Sequence, residues 1–238
     1  MVNPAHPQTS PVKPLRSDGV EARNRLLDAA LKLFADKGFS QTSTREIAQA
    51  AQANLASISY YFGDKEGLYR AVFEDPRFNH GIDPTAEALA DGDIRTIVDF
   101  MLRGFTEPLK AGEQAQQCMK LHFREMVEPT GMWQEEIEKN IKPAHLALVT
   151  ALCRHLQVNT ADDDMHRLGF ELLSMGVMLH VGTDVIRCIR PALIADSAAL
   201  DQYHARMVDN AMVLIAAEAR RRSIHSPGAQ ASEHKTQT

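Results

Sequence analysis

No apolar run in this 238-residue chain is long enough to cross a bilayer: the most apolar later stretches are interrupted by His180 or Glu218, and the N-terminus has no apolar signal core. Three cysteines, Cys118, Cys153 and Cys188, have no paired spacing, which argues against a disulfide framework and fits a reducing compartment. No GxSxG, HExxH, P-loop or dinucleotide-binding glycine pattern is present, so no standard catalytic or cofactor site can be read from the chain. Proline is absent between Pro14 and Pro76, as expected of regular helices joined by short turns. No convincing strand pattern or repeat occurs. These absences predict an all-α, soluble, cytoplasmic protein with no cofactor and no membrane partner.

The net charge of -5 is distributed unevenly. Residues 16–73 hold eight basic side chains (Arg16, Arg23, Arg25, Lys32, Lys37, Arg45, Lys65, Arg70) and seven acidic ones, so the acidity belongs to the remainder. A nearly neutral N-terminal segment that binds nucleic acid would gain little from nonspecific attraction and would need pairing for strength.

Within that segment, Ser43 and Glu46 form a capping box that opens a helix from about Thr44 to Ala51. Ile47, Ala48 and Ala51 share its inner side, leaving Arg45 and Gln49 outside. Gln52 and Ala53 make a turn, and Asn54 caps a second helix about two turns long. Leu55, Ile58 and Phe62 form its apolar stripe. Ala56, Ser57, Tyr60 and Tyr61 then project away, offering hydroxyls, phenols and one methyl to a DNA groove. Before this pair, a helix opening with Asp18 and Glu21 presents Leu26, Leu27, Ala30, Leu33 and Phe34 and closes at Gly38. After it, Asp64 caps a helix carrying Leu68, Val72 and Phe73, with Lys65 at its start to meet phosphate.

The run GFSQTSTREIAQAAQANLASISYYFGDKEGLY resembles the N-terminal signature of the TetR family of transcriptional regulators. The matching residues are Gly38-Phe39, Thr42-Ser43, Arg45-Glu46-Ile47-Ala48, Asn54, Tyr60, Phe62, Lys65-Glu66 and Leu68-Tyr69, all in register. Gln52 stands where the family often has Gly, Leu55 where Lys or Arg is common, and Ser59 where Tyr is common. ANLASISYYFGDKEGLY and the region around CMKLHFREMVEP are similar to the CecR-like branch. The resemblance implies a three-helix helix-turn-helix DNA-binding domain followed by a larger helical domain that binds ligand and dimerises. It also implies a homodimeric repressor on a palindromic double-stranded operator, released by a small-molecule effector. The expected DNA contacts are Ser43, Arg45, Asn54, Ala56, Ser57, Tyr60, Tyr61 and Lys65.

The domains expected are a disordered arm at 1–17, the DNA-binding domain at 18–75, the helical domain at 76–222 and a disordered tail at 223–238. Residues 75–92, with two prolines and two glycines, read as a connector. Helices are expected over 93–107, 112–127, 132–157 with a kink at Pro143, 162–190 and 197–222. Leu168, Leu172, Met175, Leu179, Gly182, Ile186 and Ile189 form a seam of alternating fours and threes. With Tyr203, Met207, Ala211, Leu214 and Ile215 it would build half of an intermolecular four-helix bundle; the other reading is burial within one subunit. Met101, Phe105, Cys118, Met119, His122, Phe123, Met126, Trp133, Met175, Met178 and His180 are candidates to line an effector cavity.

Cys118 with His122, and Asp162 with His166, are spaced i and i+4, but two ligands do not make a metal site and none is predicted. A helical enzyme using Cys118, His122 or the acidic-histidine cluster, and a small-molecule carrier without DNA binding, are the alternatives.

Overall fold

The computed structural model describes residues 17–78 and 92–225. Of the expected arm, connector and tail, residues 1–16, 79–91 and 226–238 lie outside them, while Ser17 already belongs to the first helix and 223–225, expected in a disordered tail, continue the last one. Every regular element described is helical. The chain divides into two compact units, Met1–Val72 and Phe73–Thr238, so the boundary falls inside a helix rather than after Asp75.

The first unit is built on α1 (Ser17–Lys37), α2 (Thr44–Ala50), α3 (Leu55–Phe62) and α4 (Lys65–Glu74). Asp18 lies in the first turn of α1 and is not its cap. Leu26, Leu27, Ala30, Leu31 and Phe34 of α1 are fully buried with Ile47, Ile58 and Leu68, while Leu33 is only half-buried. The buried Thr42 hydroxyl donates to the Gly38 carbonyl (2.8 Å) and so fixes the loop from α1 to α2.

The turn between α2 and α3 passes through Gln52 with φ of 50°. Two bonds close it, from Ala53 N–H to the Ala48 carbonyl (2.9 Å) and from Gln52 N–H to the Gln49 carbonyl (3.1 Å). This is the Schellman pattern, in which glycine is the usual left-handed residue. Arg25 reaches over from α1 and donates through Nε to the Ala51 carbonyl (3.2 Å), satisfying one of the acceptors at the end of α2.

The second unit contains α5 (Ile94–Lys110), α6 (Glu113–Val127), α7 (Met132–Glu136), a π-helical turn (Ile137–Ile141), α8 (Lys142–Leu156), α9 (Asp163–Val181), α10 (Thr183–Ile189), a 3-10 turn (Pro191–Ile194) and α11 (Ser197–His225). Its core joins α5, α8, α9 and α11 through Val98, Leu102, Leu148, Leu152, Met165, Leu172, Leu179, Met207, Ala211 and Ile215. Polar ties cross the same interfaces. His204 on α11 bonds through Nε2 to Asp99 on α5 (2.8 Å), with Thr106 Oγ1 3.3 Å from its Nδ1, and Arg95 reaches Asp209 (2.7 Å). Glu125 is 1% exposed and accepts from Thr130 N–H, the Thr130 hydroxyl and Trp133 N–H, which folds α7 back from α6.

Three helix boundaries differ from the sequence expectation, each for a local reason. Pro108 sits within the last turn of α5, where its missing N–H costs one bond without ending the helix. The kink expected at Pro143 is taken up by the preceding π turn, closed by Lys142 N–H to the Ile137 carbonyl. The single helix expected over 162–190 breaks at Gly182, and α10 departs from α9 by 71°.

Burial within this chain already occupies several of the seam residues. Leu172, Leu179, Ile186 and Met207 are at most 9% exposed within this one chain, and Gly182 is covered by its own Met178. Leu214, Tyr203 and Met175 are half-buried against the same core. The heptad spacing thus serves packing within the chain at Leu172, Leu179, Ile186 and Met207, and leaves Met175, Tyr203 and Leu214 partly exposed. The large apolar side chains of α9, α10 and α11 that stand exposed are Phe170, Met178, Val181, Val185, Ile189 and Val213.

Two predictions follow from these features. Gln52→Gly removes the left-handed penalty and raises unfolding stability by up to about 1 kcal/mol in urea titrations, whereas Gln52→Val lowers it. Burial holds both His145 and His180 below the usual imidazole pKa, with His166 beside His145 adding to the effect. The unfolded chain therefore takes up these protons first, from about pH 6.5 downward. The urea midpoint is expected to be level above that pH and to fall below it, with a shallower slope when both residues are replaced by Gln.

Candidate nucleic-acid interface

The capping box at the start of α2 is complete. Glu46 N–H donates to Ser43 Oγ (3.1 Å) and Ser43 N–H donates to Glu46 Oε2 (3.0 Å). Lys37 at the end of α1 donates to the other Glu46 oxygen (2.8 Å). That bond, with those from Ser43, holds the Glu46 carboxyl down at about 2. The box ties the end of α1 to the start of α2 in one ionised cluster. At the start of α3, Asn54 Oδ1 accepts from Ala56 N–H (2.9 Å).

The end of α3 is set by main-chain contact. Gly63 has φ of 82°, and Asp64 Oδ1 accepts from Gly67 N–H (2.7 Å) to start α4. A Cβ at Gly67 would lie 2.0 Å from the Phe62 carbonyl oxygen, so only glycine lets α4 begin this close to α3. Phe34, Phe39 and Tyr69 pack edge-on or stacked beneath, with ring centroids 4.8–5.9 Å apart.

These constraints turn one face of α3 outward. Ala56 and Tyr60 are exposed as expected, Tyr60 by 75%. Ser57 and Tyr61 are half-buried, Tyr61 standing edge-on to Tyr60 with centroids 4.9 Å apart. Their places outside are taken by Leu55, 44% exposed, and Ser59. The outward set is therefore Leu55, Ala56, Ser59 and Tyr60, spaced at i, i+1, i+4 and i+5. The apolar stripe was read one residue too far toward the N-terminus, because Leu55 lies ahead of the turn that packs on α1.

Arg45 and Ser43 are exposed at the N-terminal end of α2, and Arg45 has no partner among the described residues. The hydroxyl of Ser43 is engaged in the box, as is the Asn54 side-chain oxygen in its cap. Lys65 is half-buried and its ammonium rests 4.3 Å from the centre of the Phe39 ring. A phosphate contact from Lys65 would compete with that cation–π interaction.

The expected effector residues are found in several settings. Met101 is 7% exposed in the core. Phe105 lies where a Cβ on Gly176 would be, and His180 bonds through Nε2 to the Phe105 carbonyl (2.8 Å) while stacking on Phe123. His122 donates through Nδ1 to the Cys118 carbonyl (2.9 Å) and meets the Phe73 ring at 4.8 Å. Met126 is 39% exposed and Trp133 half-buried at the turn held by Glu125. Met175 and Met178 instead line an open groove of about 490 Å³, shared with Tyr203 and Met207, which sequence spacing had assigned to the dimer seam.

Burial pushes the Cys118 thiol up to about 12, helped by Glu136, which leaves it protonated and poorly nucleophilic. Asp162 caps α9 and is clasped by Arg222 (2.8 and 2.9 Å), while His166 bonds His145 (3.0 Å). Neither proposed ligand pair gains a third member among the described residues.

Residues 26–72 match the family model described as bacterial regulatory proteins, tetR family, and residues 94–218 match that of the C-terminal domain of the HTH-type transcriptional dual regulator CecR. The chain is 30% identical over 170 residues to the CecR regulator of Shigella flexneri, covering 66% of this chain and 76% of that protein. It is 42% identical over 108 residues to the probable HTH-type regulator YttP of Bacillus subtilis, an alignment spanning 45% of this chain and 51% of YttP. In fold it is similar to NalD, the secondary repressor of the MexAB-OprM multidrug efflux pump in Pseudomonas aeruginosa (TM-score 0.54, 16% identity, 82% of this chain and 96% of that one). A regulator from Aquifex aeolicus gives a TM-score of 0.55 at 16% identity, covering 81% of this chain and 99% of the other. An exposed two-turn helix, fixed by capping and by a glycine contact on a three-helix brace, thus occurs in a chain whose two halves both match regulator models. The protein belongs to the TetR family of DNA-binding transcriptional regulators, in its CecR-like branch, and is not an enzyme.

Proposed function

We propose that the protein is a cytoplasmic homodimeric repressor that places α3 of each copy in successive major grooves of a palindromic operator and is released by a small-molecule effector bound in its C-terminal helices. The observation that carries the DNA reading is the outward face of Leu55, Ala56, Ser59 and Tyr60, with Arg45 exposed on α2 and without a partner among the described residues. Ala56 and Leu55 offer apolar contact to a thymine methyl, Ser59 and Tyr60 offer hydroxyls, and Arg45 supplies charge to phosphate.

Two copies are needed because a near-neutral head gains little from counterion release, and pairing fixes the heads about 34 Å apart. Support for dimerisation comes from the exposed apolar side chains Phe170, Met178, Val181, Val185, Ile189 and Val213 on α9, α10 and α11, with the partly exposed seam residues Met175, Tyr203 and Leu214 on the same helices. Repression is the sign expected by analogy with NalD, which is described as a repressor.

Electrophoretic mobility shifts with DNA flanking the gene's own coding sequence test this directly. Tyr60→Ala is expected to weaken the specific complex about tenfold or more with the melting temperature unchanged. Arg45→Ala is expected to weaken it on all sequences and to lower the slope of log affinity against log salt by about 1. Normal binding by both variants would remove α3 from the groove. Sedimentation of Val181→Glu and Val185→Glu is expected to show monomers with weakened operator binding; a wild-type chain that sediments as a monomer while binding DNA normally would refute the dimer.

A further inference from the structure

We propose that α3 reads its operator through methyl groups, with Leu55 and Ala56 as the specificity-determining residues and two neighbouring pyrimidine 5-methyl groups, of thymine or 5-methylcytosine, as what they recognise. This names the class of half-site and in that respect rests on the proposed placing of α3 in a major groove. The carrying observation is what α3 lacks. Its eight residues, LASISYYF, include no Arg, Lys, Asn, Gln, Asp or Glu. Those are the side chains that single out a base by directed hydrogen bonds: Arg or Lys for guanine, Asn or Gln for adenine, Asp or Glu for cytosine. None is available along the helix, whichever face meets the groove.

What α3 does offer is of two kinds. Ser59 and Tyr60 expose hydroxyls, and those of Ser57 and Tyr61 belong to half-buried side chains. A hydroxyl both donates and accepts, so it serves any base edge or a phosphate and discriminates poorly. The apolar groups discriminate better, because among the four bases only thymine presents a methyl in the major groove, and methylated cytosine presents the same group in the same place. Leu55 is 44% exposed and Ala56 is exposed, both in the first turn of α3, the end of a recognition helix that meets base edges. Their α-carbons are about 3.8 Å apart, close to the rise of about 3.4 Å between successive bases, so two adjacent methyls can be covered together. The polar side chains around the helix do not replace them. Asn54 has its side-chain oxygen committed to the Ala56 N–H, which removes the two-bond contact to adenine. Arg45 and Gln49 are exposed on α2, the helix that crosses the backbone in this kind of motif.

Duplexes selected from a random library by the full-length protein supply the probe. Two neighbouring thymines are expected in each half-site, and replacing either by deoxyuridine, which removes only the methyl, is expected to weaken binding about fourfold. A 5-methylcytosine–guanine pair at the same place is expected to bind about twofold or more tighter than cytosine–guanine. Leu55→Ala is expected to weaken the thymine duplex and to shrink the deoxyuridine penalty at one position below about twofold, the coupling that marks a direct contact rather than a change in duplex stiffness. Leu55→Arg is expected to select guanine in place of that thymine. Binding that is unchanged when every thymine is replaced by deoxyuridine, or a penalty that Leu55→Ala leaves intact, overturns the methyl reading. Tyr60→Ala tells that failure from a failure of the groove placement. If methyls prove dispensable while Tyr60→Ala weakens the selected complex, the methyl reading falls and α3 stays in the groove; if Tyr60→Ala and Leu55→Ala are both silent, α3 leaves the groove and the proposal falls with it.

Discussion

An eight-residue helix has almost no stability of its own in water, and this limit governs how the N-terminal unit is built. Helix α3 buries one large side chain deeply, Ile58 at 2% exposure. It must therefore be held at its ends. Asn54 holds the start, the Schellman turn through Gln52 fixes the entry, and Gly63 with Gly67 fixes the exit. Each device acts on the backbone. The side chains facing outward are thereby spared any structural duty and can be given to recognition.

The C-terminal unit solves a different problem, the placing of polar groups within a helical core. His204 lies between Asp99 and Thr106, His180 takes a carbonyl on the helix that carries Pro108, and Glu125 gathers three donors at one turn. Each arrangement satisfies groups that would be costly to bury alone. Together they select which helices lie side by side, a specificity that apolar contacts alone do not supply.

Much of this was legible in the chain. The capping box at Ser43 and Glu46, the cap at Asn54 and the close of α1 at Gly38 are local, and local chemistry reads well from sequence. The left-handed turn at Gln52 was also readable, since its position within the motif demanded it. Less readable was the difference between an intrachain and an intermolecular seam. Leu172 and Leu179 have the same spacing in either case, and only the burial supplied by α5 and α8 decides between them. The facing of Ser59 and Tyr61 was lost for a related reason: over eight residues, a small error in the direction of the apolar stripe exchanges neighbours. Asp99 with His204, 105 positions apart, left no trace in any pattern.

The contact at Gly67 carries a further implication. Because the distance between α3 and α4 is set by a main-chain oxygen against a missing side chain, the pose of α3 does not depend on which residues it displays outward. Positions 55, 56, 59 and 60 are exposed side chains on a fixed mount, and under the proposed function they are the ones offered to DNA. On that reading, substitutions at those four places would change what the helix offers to a partner without disturbing the scaffold that presents it.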